Sequence, residues 1–132
     1  MRVTGRSERG AAIVEMALVM PLLLILVFGI VEFGRAFMTD ISVTHAAREG
    51  ARAYAITRGS DDASAAQSAA IDAAKLTVSG AVAGRLVFAF TDCEPGTGAE
   101  VTITYPDFDF LIPFVPLGNL DLSSTGAMRC GG

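Results

Sequence analysis

The chain has 132 residues, room for one small domain plus accessory segments rather than two independent cores. Hydrophobic residues make up 52% and charged residues 18%, more apolar than an ordinary soluble domain, so a membrane segment is sought first. A formal net charge of -4 offers no basic surface for phosphate backbones, and one His (His45) with two Cys is too sparse a set for a structural zinc site.

Residues 11–33 read AAIVEMALVMPLLLILVFGIVEF, with no charged or strongly polar side chain from Met16 to Val31. As a helix this stretch would extend roughly 34 Å, enough for a hydrocarbon core of about 30 Å. Fourteen of its residues are Leu, Ile, Val or Phe. Each contributes roughly -0.3 to -0.6 kcal/mol to insertion near the centre, against roughly +3 kcal/mol for one central acid, so insertion wins even with Glu15 included. Arg2, Arg6 and Arg9 precede the span, whereas Glu32, Arg35 and Asp40 follow it. That asymmetry predicts a cytoplasmic N-terminus and an extracytoplasmic C-terminal region. The first small-x-small site, Ala51-Arg52-Ala53, lies well past the apolar run, so the anchor is expected to be retained.

Two residues interrupt the span. Pro21 has no N–H and leaves the carbonyl of Ala17 without its usual donor, which calls for a bend or a local partner unless it is an ordinary tolerated membrane proline. Glu15 needs a cation, a proton or an escape to the interface.

Arg9-Gly10 followed by Ala11-Ala12-Ile13-Val14-Glu15 and the long apolar run resembles the class III signal of type IV prepilins. The resemblance implies cleavage by a prepilin peptidase between Gly10 and Ala11, leaving Glu15 as the fifth residue. The new Ala11 ammonium and the Glu15 carboxylate would then be opposite charges at nearly the same depth, each able to neutralise a neighbour's partner in a packed assembly. Beyond the span, Ile30-Val31-Glu32-Phe33-Gly34-Arg35 and Ala46-Ala47-Arg48-Glu49-Gly50-Ala51-Arg52 are similar to the TadE-like family of tight-adherence pseudopilins. The likeness runs from about Arg9 to Tyr54. Major Tad pilins usually carry an aromatic after the Glu, where this chain has Met16, and they lack a C-terminal domain. Those departures imply a minor pilin or pseudopilin. Its partners would be other pilin or pseudopilin subunits, the Tad assembly platform, the prepilin peptidase and the bacterial cytoplasmic membrane.

Past the span, Phe33, Phe37, Ile41, Thr44, Ala47, Ala51 and Tyr54 recur every three or four residues, so one helix is expected to continue to about Thr57. On it Glu32 and Arg35, and Glu49 and Arg52, are spaced for solvated intrahelical pairs, or for a stripe that docks a partner. Arg58-Gly59-Ser60 breaks the pattern, and Ser60 or Asp61 can cap a second helix over residues 63–76. Residues 86–91 and 99–105 are β-rich around the turn formers Glu94-Pro95-Gly96-Thr97-Gly98, a β-hairpin pattern. Residues 107–117, with Pro113 and Pro116, form a loop too apolar to lie loose in water; residues 120–129 return as a third, edge strand.

The predicted fold is α+β: a long N-terminal helix, a short second helix and a small three-stranded antiparallel sheet. The predicted segments are a leader 1–10, a transmembrane helix 11–33, a helical extension 34–58 and a small extracytoplasmic domain 59–132. Cys93 closes the first strand and Cys130 the last, so the strand arrangement can bring them together as a disulfide in an oxidising space; otherwise they are two unrelated thiols. No nucleophile elbow, phosphate-binding glycine motif or paired metal ligands occur, which speaks against an enzyme, a cofactor or a small-molecule substrate. The expected role is a pilus or secretion subunit assembling through its N-terminal helix. The rival is a signal-anchored binding or scaffold module that never enters a pilus.

Overall fold

The computed structural model describes residues 7–58, 62–93, 98–110 and 119–130. In chain order these form α1 (Ser7–Arg58), α2 (Ala63–Leu76), the single turn α3 (Gly80–Ala83), β1 (Val87–Phe90), β2 (Gly98–Phe108) and β3 (Leu120–Arg129). The fold is α+β, with a long N-terminal helix, a short second helix and a three-stranded antiparallel sheet of order β1-β2-β3. The chain divides into two compact units, Met1–Arg35 and Ala36–Gly132, and α1 contributes to both.

In the first unit α1 continues through Pro21. Its apolar side chains have no cover: Leu18 is 74% exposed, and Ile13, Leu22 and Ile30 all exceed 60%. This helix is long and apolar enough to cross a membrane, and none of its most apolar stretch is buried by the rest of the chain. A helix of a soluble core would have one covered side.

In the second unit the core is a sandwich of α1 and α2 on one face of the sheet. β2 alternates, with Ala99, Val101, Ile103 and Tyr105 buried. Val43, Ala46, Ala47, Ala51 and Tyr54 of α1 and Ala66, Ala70 and Ala74 of α2 complete the core. With Phe108 and Leu122 included, half of the buried core residues are alanines, which lets backbones approach closely. A Cβ placed on Gly50 would lie 3.4 Å from the Ala70 carbonyl oxygen and 3.7 Å from Val101, and one on Gly126 would lie 2.1 Å from the Ala47 carbonyl oxygen. Phe90, Val101 and Gly126 form one row across the sheet. The Tyr54 ring lies 5.2 Å from that of Phe90, tilted against it, so Ala47, Gly50 and Tyr54 meet β3, β2 and β1 in turn. Seven residues of helix advance about 10 Å, close to two strand spacings, so α1 crosses the strands from β3 to β1.

The structure adjusts the expected boundaries. The cap of α2 is Asp62, whose side chain accepts from the Ser64 and Ala65 backbone N–H groups; Ser60 and Asp61 lie outside the described residues. β2 runs three residues further than the β-rich stretch suggested, because a bulge between Tyr105 and Phe108 absorbs Pro106, which cannot donate to the ladder. Asp107 takes up the extra residue at a φ of 48°. The turn at residues 94–97 and the apolar loop from 111 to 118 lie outside the described residues, but Phe108 is buried and Phe110 packs against the core.

β1 and β3 both run antiparallel to β2, so they finish on the same side, where β2 starts. Cys93 follows β1 and Cys130 follows β3. They are joined by a disulfide with Cα atoms 5.7 Å apart.

Candidate functional site

Three of the residues singled out by the sequence fall on the first unit. Gly10, Ala11 and Glu15 all lie within α1, which already begins at Ser7, and all three are exposed. A Cβ on Gly10 would meet nothing within 4 Å, so no packing in the chain demands glycine there. Ala12, Glu15, Met16, Val19, Met20 and Leu23 line a shallow groove along one side of the helix. Glu15 is the polar member of that apolar set. A straight helix places its Cα about 6 Å along the axis from that of Ala11. Cys93 and Cys130 belong to the other unit.

At the end of the apolar run both Glu32 oxygens accept from one Arg35 guanidinium nitrogen, at 3.1 and 3.2 Å. The pair forms as its spacing suggests, but Glu32 is only 4% exposed rather than solvated. An ion pair satisfied within one helical turn lowers the cost of a buried carboxylate. Further on, Arg52 donates to Glu49 at 2.6 Å. That hydrogen bond, ahead of the simple charge attraction, holds the Glu49 carboxyl below its ordinary range. His45 is exposed. Among the described residues no group of three or more His, Cys, Asp or Glu side chains is arranged to hold a metal.

Sequence reasoning missed Arg85. Its guanidinium donates to the Tyr105 hydroxyl at 3.1 Å, to the Pro106 carbonyl at 3.0 Å, to the Asp107 carbonyl and to the Asp109 carboxylate, and it lies 4.8 Å from the centre of the Tyr105 ring. The Asp107 N–H donates to Asp121. Arg85 therefore supplies the donors that the bulge leaves its carbonyls wanting. Only Pro106 inside a β-rich run hinted at a bulge, and nothing in the sequence pointed to the arginine 21 residues before it.

Fold and site together define a small α+β unit and an apolar N-terminal helix whose side chains the described residues leave exposed. The TadE-like protein family matches residues 10–52, from the glycine before the apolar run to Arg52. Residues 10–52 are thus similar to TadE-like proteins, a pilus-associated, pseudopilin-like family. No curated protein and no solved structure matches the chain.

Proposed function

We propose that this chain is a minor pilin or pseudopilin of a Tad-type pilus or secretion system. Residues 1–10 lie in the cytoplasm, the apolar helix spans the bacterial inner membrane once, and Ala36–Gly132 stands outside it. A prepilin peptidase cuts between Gly10 and Ala11, and the processed helix packs beside those of other pilin-like subunits on the assembly platform. The observation that carries this reading is that the family match, residues 10–52, takes in both Gly10 and the exposed apolar side chains of the helix.

The helix begins upstream of the bond to be cut. A peptidase that takes an extended strand must first unwind that turn, and glycine, about 1 kcal/mol poorer than alanine in a helix, makes the unwinding easier. Cleavage creates the Ala11 ammonium. Glu15 of one subunit then pairs with Ala11 of the next, since its own Ala11 is offset along the axis and a lone carboxylate in hydrocarbon is costly.

The test is N-terminal sequencing and mass of the protein recovered from native membranes, followed by co-purification of Glu15 variants with pilin partners. Glu15→Gln and Glu15→Val are expected to insert and be cut normally yet fail to co-assemble. Chains that keep Met1 in a peptidase-competent host would favour the anchored module that never enters a pilus. A processed Glu15→Val chain that co-assembles at the wild-type level would show Glu15 to be a boundary residue only.

A further inference from the structure

Two faces of the C-terminal unit have no cover among the described residues. One is the side of α1 turned away from the sheet. There Met38, Ile41, His45, Arg48, Arg52 and Ile56 recur every three or four residues, and all six are exposed, Met38 and Ile56 by about two thirds. This stripe mixes apolar and cationic groups, and its one acid, Glu49, is paired with Arg52. Arg52 is shared with Glu49, but Arg48 has no hydrogen bond or ion pair among the described residues.

The other is the outer face of the sheet. Its hydroxyls are already paired across the strands, Thr102 with Thr125 at 2.8 Å and Thr104 with Ser123 at 3.1 Å. What it offers a partner is therefore a low surface of methyl groups, Val87 and Ala89, next to the carboxylate of Glu100, all of them exposed. These residues alternate along β1 and β2 with the buried ones, so they point away from α1.

We propose that the two faces meet between copies, the α1 stripe of one chain docking on the outer sheet face of a second copy of this chain. Charge argues for that occupant. Residues 36–132 carry six basic and eleven acidic side chains, a formal -5. Outside the stripe only Arg58, Lys75, Arg85 and Arg129 are basic, and Arg85 is engaged by Asp109. The complement of the stripe is thus the rest of the same unit. An anionic lipid surface would attract Arg48 and Arg52 but repel the unit that carries them. Because the faces lie on opposite sides of the two-layer unit, the contact is head to tail. Such a contact does not close on itself and repeats along a line unless a rotation forms a ring.

The proposal rests on the reading above for copies anchored in one membrane, and N-terminal sequencing of the same samples reports on that reading separately. The experiment places a photo-cross-linking residue at Val87 of the full-length chain in native membranes. The expected product is an adduct of twice the chain mass, joined to residues 38–56 of the second copy. Arg48→Glu is expected to lower its yield at least about threefold, the scale of one exposed charge pair, and Arg48→Glu combined with Glu100→Lys in the same chain to restore it. Both positions are exposed, so neither change empties the core. Adducts to lipid or to a different protein, a Val87 adduct to the sheet of the second copy, a yield indifferent to Arg48→Glu, or no restoration by the double exchange would each overturn the proposal.

Discussion

Asp62 shows how much one side chain sets at the start of α2. One carboxylate oxygen accepts from the Ser64 hydroxyl at 2.7 Å and from the Ser64 and Ala65 N–H groups at 3.0 and 3.1 Å. Those bonds, the hydroxyl's above all, hold the carboxyl below its ordinary value of 3.8. Folding therefore binds fewer protons at Asp62 than the unfolded chain does. Its contribution is complete above that value and is lost as the pH falls through the lower, folded one. Asn caps helices as well as Asp does but does not titrate. Asp62→Asn is thus expected to leave the thermal midpoint at pH 7 nearly unchanged and to flatten its decline below pH 3.8, which thermal melts across that range would reveal. The string Ser60-Asp61-Asp62 offers three good caps in a row, so propensity could locate the start of the helix but not choose among them.

The glycines at the helix contacts separate two kinds of close approach. At Gly126 the nearest atoms to an added Cβ are all backbone of α1, the Ala47 carbonyl and the Arg48 nitrogen, none of which can move aside without shifting the helix. Gly126→Ala is expected to destabilise the unit by about 3 kcal/mol or more, read as a fall in the denaturant midpoint. At Gly50 the neighbours stand at ordinary contact distance. Gly50→Ala, which also gains up to about 1 kcal/mol of helix propensity, is expected to be neutral or stabilising. The order and type of α1, α2, β1, β2 and β3 were legible in the long apolar run, in apolar periodicity and in turn formers. What periodicity could not convey is the approach of one element to another. Gly126 in β3 reads as a weak point in a strand, and only the helix lying across it shows why no side chain fits. The single turn α3, without a buried residue, left no pattern to read.

For the whole molecule, the candidate N-terminal site could be proposed from the sequence because its chemistry is local: a glycine, an acid and a long apolar run stand next to one another. Arg85 was not, since its partners Tyr105, Pro106, Asp107 and Asp109 come together only when the sheet forms. The Cys93–Cys130 bridge lies between these cases, foreseeable once three antiparallel strands were expected. Its 37-residue separation corresponds to about 4 kcal/mol in the chain-entropy description of a closed loop. The bridge also has a mechanical meaning. A subunit held by its N-terminal helix and loaded near its C-terminus would carry tension through Cys93 directly to Cys130, leaving β2 and β3 slack inside a covalent bypass. Pulling single molecules from their ends is therefore expected to show a contour shorter by about 120 Å than the same chain in reductant, the reach of the 37-residue separation that the bridge spans. Equal extensions with and without reductant would mean that the bridge is not formed.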